Sequence, residues 1–271
     1  MRLLFSIAVH ESNLSVRSLI KNIQKFTLDP ILLFHISADF LDFDLELEKY
    51  HNVYFNDVRL KTGYLDGSLL RAHVLNMGYA ESNEITYDYF IPFGSNQMLI
   101  KTGIEGFILK NGFKKCNVLL PISYVNILIL FDWKNLLNLV IKYDIKCFYK
   151  ASPEGTYWPR DMVQENLDDL NNYCDQITSK GLVGGRLVKL RRLVSSFKGN
   201  VVYPLEELIL PTFLLRYTKE ASGTDYCFKD WKNDLQVPID RIDQIKQNYY
   251  SVKRVDRNDN MLRRLIDGMD S

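Results

Sequence analysis

The sequence predicts an α/β protein whose mostly parallel central sheet is flanked by helices. Short apolar runs at Leu3–Val9 and Ile31–Ile36 are typical of strands that are buried on both faces. Between them, from Ser15 onward, apolar residues recur with helical spacing. A strand, a helix and a strand in succession favour parallel pairing, because parallel neighbours need such a crossover connection.

Each later element follows from its local pattern. Leu70, Val74 and Met77 keep helical spacing after Ser68, which is a candidate for the helix cap. The other predicted elements are a strand at Val53–Phe55, a strand over 87–93 closed by a Gly-Ser-Asn-Gln turn, a helical turn over 104–109 and a helix near 161–178.

Composition limits the function classes. The chain of 271 residues is 46% hydrophobic and 25% charged, a balance typical of soluble globular proteins. Because no repeat and no clear linker interrupts it, we expect one domain over 1–271, less regular after residue 150. Its 34 basic and 33 acidic residues give a formal net charge of +1, which offers nucleic acid no broad attraction. We therefore expect no nucleic-acid partner, and phosphate binding only through a local group of cations.

Cysteine spacing and apolar runs indicate the compartment. The four cysteines are widely spaced and form no C-x-x-C pair, so we interpret them as reduced. The apolar start lacks a small-residue cleavage site, which favours a buried strand over a signal peptide. A second apolar run over 116–143 contains Pro121, Asn126 and Asp132, which favours a strand, turn and helix over a membrane span. The expected location is the cytoplasm.

Polar residues directly after the predicted strands are candidates for a site, because parallel-sheet proteins bind ligands at the carboxyl ends of strands. These residues are His10, His35, Ser95 and Asn96. Each alone is more often an ordinary turn residue or a satisfied polar residue. Their shared position makes the set a candidate pocket.

We expect neither a metal site nor a cofactor. The sequence has no phosphate-binding P-loop, no hydrolase nucleophile elbow and no zinc-protease motif. Asp42 and Asp44 have the D-x-D spacing that can hold Mg²⁺ or Mn²⁺ with a nucleotide diphosphate. They lie in an acidic stretch, however, for which a solvated turn is the favoured interpretation.

Two adjacent glutamates lie between two prolines in the apolar stretch 202–212. Pro204 suits the first position of a helix, which places Glu206 and Glu207 in a first turn where the helix dipole favours a carboxylate. A glutamate that stays ionised can act as a general base. Because Pro211 cannot donate to the carbonyl of Glu207, we expect the helix to kink or end early. The alternative is an ordinary pair of acids at a helix start.

The C-terminal segment is rich in cations. It contains Lys253, Arg254, Arg257, Arg263 and Arg264. On short extended chain such cations can neutralise a pyrophosphate, lysine as a point charge and arginine as a fork. A solvated basic tail is the alternative.

Taken together, six segments resemble the family of core-2/I-branching N-acetylglucosaminyltransferases and peptide O-xylosyltransferases, in the small form of bacterial polysaccharide loci. The similarity runs in order from residue 5 to about residue 257, and it depends on the order and spacing of six weak motifs. The segments are SIAVHES for the opening strand, ILLFHISADF for the second strand, YDYFIPFGSNQMLIKTGIEGFI for a strand, loop and short helix, EGTYWPRDM for the acceptor loop, YPLEELILPTFL for the catalytic base, and SVKRVDR for the donor diphosphate.

This resemblance implies a single-domain nucleotide-diphosphosugar transferase fold of the GT-A type. About 1–110 would bind the nucleotide, and about 111–271 would supply the acceptor and catalytic half. It implies an inverting, metal-independent transferase that moves a GlcNAc-like or xylose-like sugar from a nucleotide-sugar donor, expected to be UDP-linked. The acceptor would be a hydroxyl of a glycan or a lipid-linked saccharide in polysaccharide synthesis.

The resemblance also assigns residues. In the family the threonine follows the catalytic acid by five positions, and Thr212 therefore selects Glu207 as the base, with Glu206 as the fallback. Lys253 falls at the position of the family's diphosphate lysine. The remaining assignments are Arg254 or Arg257 assisting at the diphosphate, His10, His35, Ser95 and Asn96 in the donor pocket, and Glu154 and Trp158 on the acceptor side, where an indole face can stack on a sugar.

Two departures from the family pattern matter. Asn96 stands where the family commonly has Asp, which weakens a metal site further. The membrane anchor and stem of the animal enzymes have no counterpart, so we expect a cytoplasmic bacterial enzyme that meets the inner face of the membrane peripherally, through its acceptor. Two alternatives stay open: a non-catalytic relative that binds nucleotide sugars, and a metal-dependent retaining transferase that uses Asp42 and Asp44.

Overall fold

The computed structural model describes residues 1–10, 12–44, 50–63, 67–111, 118–121, 141–145, 147–179, 205–215, 225–229, 237–258 and 261–269. The strands are β1 (Leu3–Val9), β2 (Ile31–Ile36), β3 (Val53–Phe55), β4 (Tyr89–Gly94), β5 (Gln97–Leu99), β6 (Val118–Pro121), β7 (Cys147–Lys150), β8 (Trp158–Pro159), β9 (Cys227–Phe228) and β10 (Ser251–Lys253). The helices are α1 (Asn13–Phe26), α2 (Ser68–Ser82), α3 (Ile104–Asn111), α4 (Arg160–Ser179), α5 (Leu205–Leu215), α6 (Ile242–Asn248) and α7 (Met261–Asp267), with a 3-10 turn at Ile239–Arg241 before α6.

The central sheet has five strands in the order β3-β2-β1-β4-β8. β1 pairs in parallel with β2 and with β4, and β3 pairs in parallel with β2. The two-residue β8 runs antiparallel to β4 at the sheet edge. The prediction of an α/β protein with a mostly parallel central sheet flanked by helices is confirmed, and β1, β2 and β3 have the predicted bounds.

Both faces of this sheet are covered, because successive side chains of a strand point to opposite sides. Leu3, Phe5 and Ile7 of β1 pack in one hydrophobic core with α1, whereas Leu4 packs in a second core with α2. Since neither face of β1 meets water, the strand is apolar except for the buried Ser6. The ends of the strands are therefore where a ligand can approach.

Helix α2 starts differently from the prediction. Ser68 is its first helical residue rather than its cap, and the Ser68 hydroxyl accepts a hydrogen bond from the Gly63 N–H at 2.7 Å. The cap is Gly67, at a left-handed φ of 79°. A Cβ on Gly67 would lie 2.8 Å from Leu205 Cδ1. Glycine is thus required both by this backbone conformation and by the close approach of α5.

A second, three-stranded sheet in the order β5-β10-β9 was not predicted. β5 follows β4 after only Ser95 and Asn96. β10 pairs antiparallel with β5, so that Lys253 lies opposite Gln97, and β9 pairs in parallel with β10. This pairing brings a late segment of the chain against the turn at the end of β4.

Helix α5 continues through Pro211 to Leu215, so of the two predicted outcomes, a kink or an early end, the early end does not occur. Proline has no N–H to donate to the carbonyl of Glu207. The backbone N–H of Ala151, the residue after β7, donates to that carbonyl at 3.0 Å. One turn further on, the Thr212 hydroxyl accepts from the Tyr149 N–H at 3.0 Å. Because Pro211 cannot donate to the Glu207 carbonyl, this carbonyl accepts a hydrogen bond from the residue that follows β7.

Some predicted features lie outside the described residues. They are Pro204, most of the apolar run over 116–143, and the side chains of Cys116 and Cys147. The described cysteine side chains, Cys174 and Cys227, are both buried and form no disulfide with each other. In the described ranges, no helix is both long and apolar enough to cross a membrane.

Candidate functional site

A cleft of about 530 Å³ opens at the carboxyl ends of β1 and β4. The chain passes from β1 to β2 on one side, and the later β4 adds on the other side, so the strand order reverses at β1. Open α/β sheets form their ligand crevices at such a reversal, because the connecting segments diverge there. Nine residues named from the sequence line the cleft: His10, Ser95, Asn96, Glu154, Glu206, Glu207, Lys253, Arg254 and Arg257.

One side of the cleft is cationic. Backbone and side-chain bonds fix this side to the turn after β4: the Val255 N–H donates to the Asn96 carbonyl at 2.9 Å, and Arg257 Nε donates to Ser95 Oγ at 2.9 Å. We call the three cleft-lining cations the basic wall: Lys253, Arg254 and Arg257. The second sheet therefore places cations where the first sheet ends.

Lys253 is ion-paired with Glu154. Its Nζ lies 2.6 Å from Glu154 Oε1, and the Ser152 hydroxyl donates to Glu154 Oε2 at 2.6 Å. Burial opposes the charge of both groups, but the pairing outweighs it: the pKa of Lys253 is raised, and the pKa of Glu154 is lowered to about 2. Both side chains are therefore charged across the neutral range, and the pair is part of the cleft lining.

Lys229 fixes the loop that carries Glu154. Lys229 Nζ donates to the Glu154 carbonyl and lies 3.6 Å from the carboxylate of Asp225. Gly155 has a φ of 92°, and a Cβ there would lie 2.8 Å from Asp225 Oδ1. A residue with a Cβ would therefore be strained at this position, which favours glycine in the turn next to Glu154.

A buried arginine braces the basic wall. Arg263 of α7 donates from Nε and Nη2 to the Asp256 carbonyl at 3.0 and 2.8 Å, and from Nη1 to Ser18 Oγ of α1 at 2.7 Å. Two residues before Asp256, Arg254 has a φ of 72°, a conformation that is strained for any residue with a Cβ. Such strain persists only where the surroundings fix the backbone, and Arg263 supplies part of that fixation.

The acidic wall is the part of the cleft lining formed by Glu206 and Glu207 at the start of α5. Glu206 is only 6% exposed. Burial raises the pKa of Glu206 to about 8, despite a backbone hydrogen bond that favours its charged form. The expectation that a first-turn glutamate stays ionised is therefore wrong for Glu206, because the loss of water outweighs the helix start. Glu207 is partly exposed.

His73 of α2 also lines the cleft, although the sequence analysis did not select it. It is one of the buried polar residues, and its Nδ1 lies 2.8 Å from Ser6 Oγ of β1. A signal was present: with Leu70, Val74 and Met77 it keeps the helical spacing of the buried face. Other lining residues that the sequence analysis missed are Ala8, Thr62, Gly63, Leu69, Phe93, Gly94 and Pro153.

His35 lies beside the cleft rather than in its lining. Its side chain is fully buried, and its Nε2 accepts from the Leu60 N–H at 3.2 Å. Burial lowers the pKa of His35. The role assigned to it in the donor pocket is therefore indirect: it fixes the segment that leads to Thr62 and Gly63.

Trp158 and the D-x-D pair also lie away from the cleft lining. Trp158 is 1% exposed and packs in the core on the α2 side of the sheet, so its indole face is not accessible to stack on a sugar. Asp42 and Asp44 are exposed, and their backbone groups bond to the Asn13 side chain. Within the described part of the chain, no group of three or more His, Cys, Asp or Glu residues could hold a metal ion.

The two walls define what the cleft can bind and do. Three cations against Glu154 leave an excess of two positive charges, which suits a ligand with a diphosphate-like charge. The glutamates of the acidic wall can accept a proton from, or hydrogen-bond to, a hydroxyl held in the cleft. Comparison with known proteins finds no family model and no curated protein that matches the chain.

Proposed function

We propose that this chain is an inverting glycosyltransferase of the GT-A type that works without a metal. The observation that carries the proposal is the cleft at the end of the parallel sheet, whose lining contains the three cations of the basic wall and two glutamates. The resemblance of six ordered segments to the core-2/I-branching and xylosyltransferase family supports the same proposal.

In this proposal the basic wall binds the diphosphate of a nucleotide-sugar donor. Lys253 and the two arginines take up the negative charge that develops on the leaving diphosphate, which is the electrostatic task of a metal in other transferases. The donor is proposed to be UDP-linked, with a GlcNAc-like or xylose-like sugar, and the acceptor to be a glycan or a lipid-linked saccharide.

The acidic wall supplies the base. The acceptor hydroxyl gives its proton to Glu207 while its oxygen attacks the anomeric carbon. The bond from that carbon to the diphosphate oxygen breaks on the opposite face, and its electron pair leaves with the nucleoside diphosphate. Glu207 is preferred to Glu206 because it is the more exposed of the two and because Glu206 is largely protonated at neutral pH.

The first test is ligand-dependent thermal stability. The purified chain is screened against UDP, GDP, CMP and their common sugars, each with and without EDTA. We expect stabilisation by one nucleotide family that survives EDTA and is lost in Lys253→Ala, since a ligand that binds only the folded state raises its apparent stability. Stabilisation that requires a metal would favour the transferase that uses Asp42 and Asp44.

A second measurement separates catalysis from binding. Release of nucleoside diphosphate from the stabilising nucleotide sugar, with a panel of saccharide acceptors, is expected for the wild-type chain. Binding without release for any acceptor in the panel would favour the non-catalytic relative. No stabilisation by any nucleotide would contradict the proposal.

A further inference from the structure

His73 is a buried histidine in the cleft that the proposed reaction does not use. It is 6% exposed, and its ring forms part of the cleft lining from helix α2. Among the described residues the only hydrogen bond of its ring is the one between Nδ1 and Ser6 Oγ, at 2.8 Å. The other ring nitrogen, Nε2, therefore has no protein partner there. A buried polar side chain in a cleft with such an atom indicates a contact made to a ligand.

A chain of buried amides and a hydroxyl fixes this ring. Asn76, one turn after His73 on α2, donates from Nδ2 to Ser6 Oγ at 2.9 Å and to the Leu33 carbonyl at 3.1 Å. Asn56 in turn donates to Asn76 Oδ1 at 3.1 Å. These side chains are all buried beneath the end of the sheet. The network is satisfied at every link, so it holds the imidazole in one position.

The same network determines which ring nitrogen carries the proton. Ser6 Oγ already accepts from Asn76, and its single hydrogen needs an acceptor because the group is buried. Among the described residues His73 Nδ1 is the acceptor within reach. Ser6 therefore donates to Nδ1, and the neutral ring carries its proton on Nε2.

The ring stays neutral because burial lowers the pKa of His73 to about 4; the charge of Glu154 opposes this shift and His35 adds to it. Thr62 Oγ1, a second polar atom of the cleft lining, is also buried without a hydrogen-bond partner among the described residues. The described residues that line the cleft from α2 and the segment before it, Thr62, Gly63, Leu69 and His73, thus include polar groups but no charged one.

We propose that His73 is a ligand-binding residue whose Nε2–H, positioned by Ser6 and Asn76, donates a hydrogen bond to an uncharged oxygen of the ligand. This inference deepens the proposed function: while the basic wall binds the diphosphate, His73 recognises a carbonyl or hydroxyl oxygen of the nucleobase or of the transferred sugar. Ser6 and Asn76 are positioning residues.

The tautomer is tested without any ligand. The chain has four histidines, so ¹⁵N NMR of histidine-labelled protein gives few signals, and His73→Gln identifies the signal of this residue. We expect the Nε2–H tautomer at neutral pH and its persistence in mild acid, down toward the pKa of about 4. A ring protonated on Nδ1, or doubly protonated at neutral pH, would overturn the inference.

The binding role is tested by calorimetry with UDP and with UDP-sugars. His73→Phe, which fills a similar space without a donor, is expected to weaken binding by about tenfold, as is usual for the loss of one buried hydrogen bond. His73→Gln, which keeps a neutral donor, is expected to lose less. Weaker binding of UDP itself would place the recognised oxygen on the base, and weaker binding of the UDP-sugar alone would place it on the sugar.

The failure modes are distinct. Unchanged affinity of His73→Phe for every ligand that the wild-type chain binds would overturn the role of His73 and leave the proposed function standing. A wild-type chain that binds no nucleotide would overturn the proposed function and the ligand assignment together, whereas the NMR result would still decide the tautomer. Ser6→Ala is the second variant: it should lower the affinity less than His73→Phe and shift the tautomer signal, which a merely structural role would not do.

Discussion

The two walls line the same cleft, but their charges are controlled in different ways. The cations of the basic wall are charged and held by named partners: Glu154 for Lys253, and Ser95 for Arg257. The acidic wall depends on burial, which raises the pKa of Glu206 to about 8 while its neighbour Glu207 reaches solvent. The basic wall is held in place by contacts between distant parts of the chain. In the acidic wall, the charge of each of the two adjacent carboxyl groups depends on its exposure to water.

Adjacent residues of one type therefore need not share a role. Glu206 and Glu207 begin the same helix, yet a side chain without water holds its proton and a side chain with water can release it. On the basic wall, Lys253 keeps its charge although it is buried, because the ion pair with Glu154 raises its pKa by more than burial lowers it.

The largest effect is expected on turnover from the acidic wall. Glu207→Gln removes the proposed base and should lower kcat about a hundredfold or more with little change in the donor KM, as is typical for loss of general base catalysis. Glu206→Gln is the matched control and should keep most of the activity, because Glu206 is already largely uncharged. The reverse ranking would assign the base to Glu206, and wild-type turnover in both variants would remove the base from this helix.

On the basic wall, Lys253→Met should weaken donor binding by about tenfold or more, because a charged hydrogen bond to the diphosphate is lost. It should also destabilise the fold, since Glu154 keeps its negative charge in a mostly buried place. The double variant with Glu154→Gln is expected to recover part of the free energy of unfolding but none of the affinity. Recovery of both in titration and urea unfolding would show that Lys253 acts only through Glu154.

Arg263 tests how the basic wall is held. Arg263→Met removes its bonds to Asp256 and Ser18 and should lower the free energy of unfolding by about 2 to 4 kcal/mol. Arg264→Met is the matched control, because Arg264 is exposed on the next position of α7 and should change this free energy by less than about 0.5 kcal/mol. Equal effects in urea unfolding would contradict the bracing role.

The smallest effect concerns the pH dependence of stability. Because the folded-state pKa of Glu206 is raised from 4.5 to about 8, the folded protein retains a proton that the unfolded chain releases. Its contribution to stability is fully present below 4.5 and is lost as the pH rises through about 8. Glu206→Gln should therefore flatten the fall in stability over this range, whereas Glu207→Gln should flatten it less, because it removes only a charge that adds to the raised pKa of Glu206. Identical slopes in unfolding experiments across this range would refute the burial of Glu206 as the cause.

The contrast between the walls also explains what the sequence could predict. The apolar runs of β1, β2 and β3 marked their own bounds, and the polar residues after β1 and β4, His10, Ser95 and Asn96, were found from the strand ends. Such features depend on local pattern alone. The pairing of Lys253 with Glu154 joins residues 99 positions apart, so only the folded structure reveals it.

Errors arose where burial overrode local chemistry. Trp158 was chosen because an indole can stack on a sugar, but its place at the sheet edge under α4 buries both faces. Glu206 was expected to be ionised from its place in the first turn, yet tertiary packing removes its water. His73 lies among apolar residues of helix α2, and a polar residue on such a buried face is itself a signal that the sequence analysis did not use.

The carbonyl that Pro211 leaves for Ala151 also bears on the order in which the protein folds. An isolated helix of 11 residues is marginal in water even without an internal proline, so a peptide cut out over 205–215 should be mostly unstructured. We therefore expect the helix to form only when β7, more than 50 residues earlier in the chain, is in place to meet it. Partly folded chains should then lack the acidic wall, so that the proposed transferase activity would report complete folding rather than formation of the sheet alone.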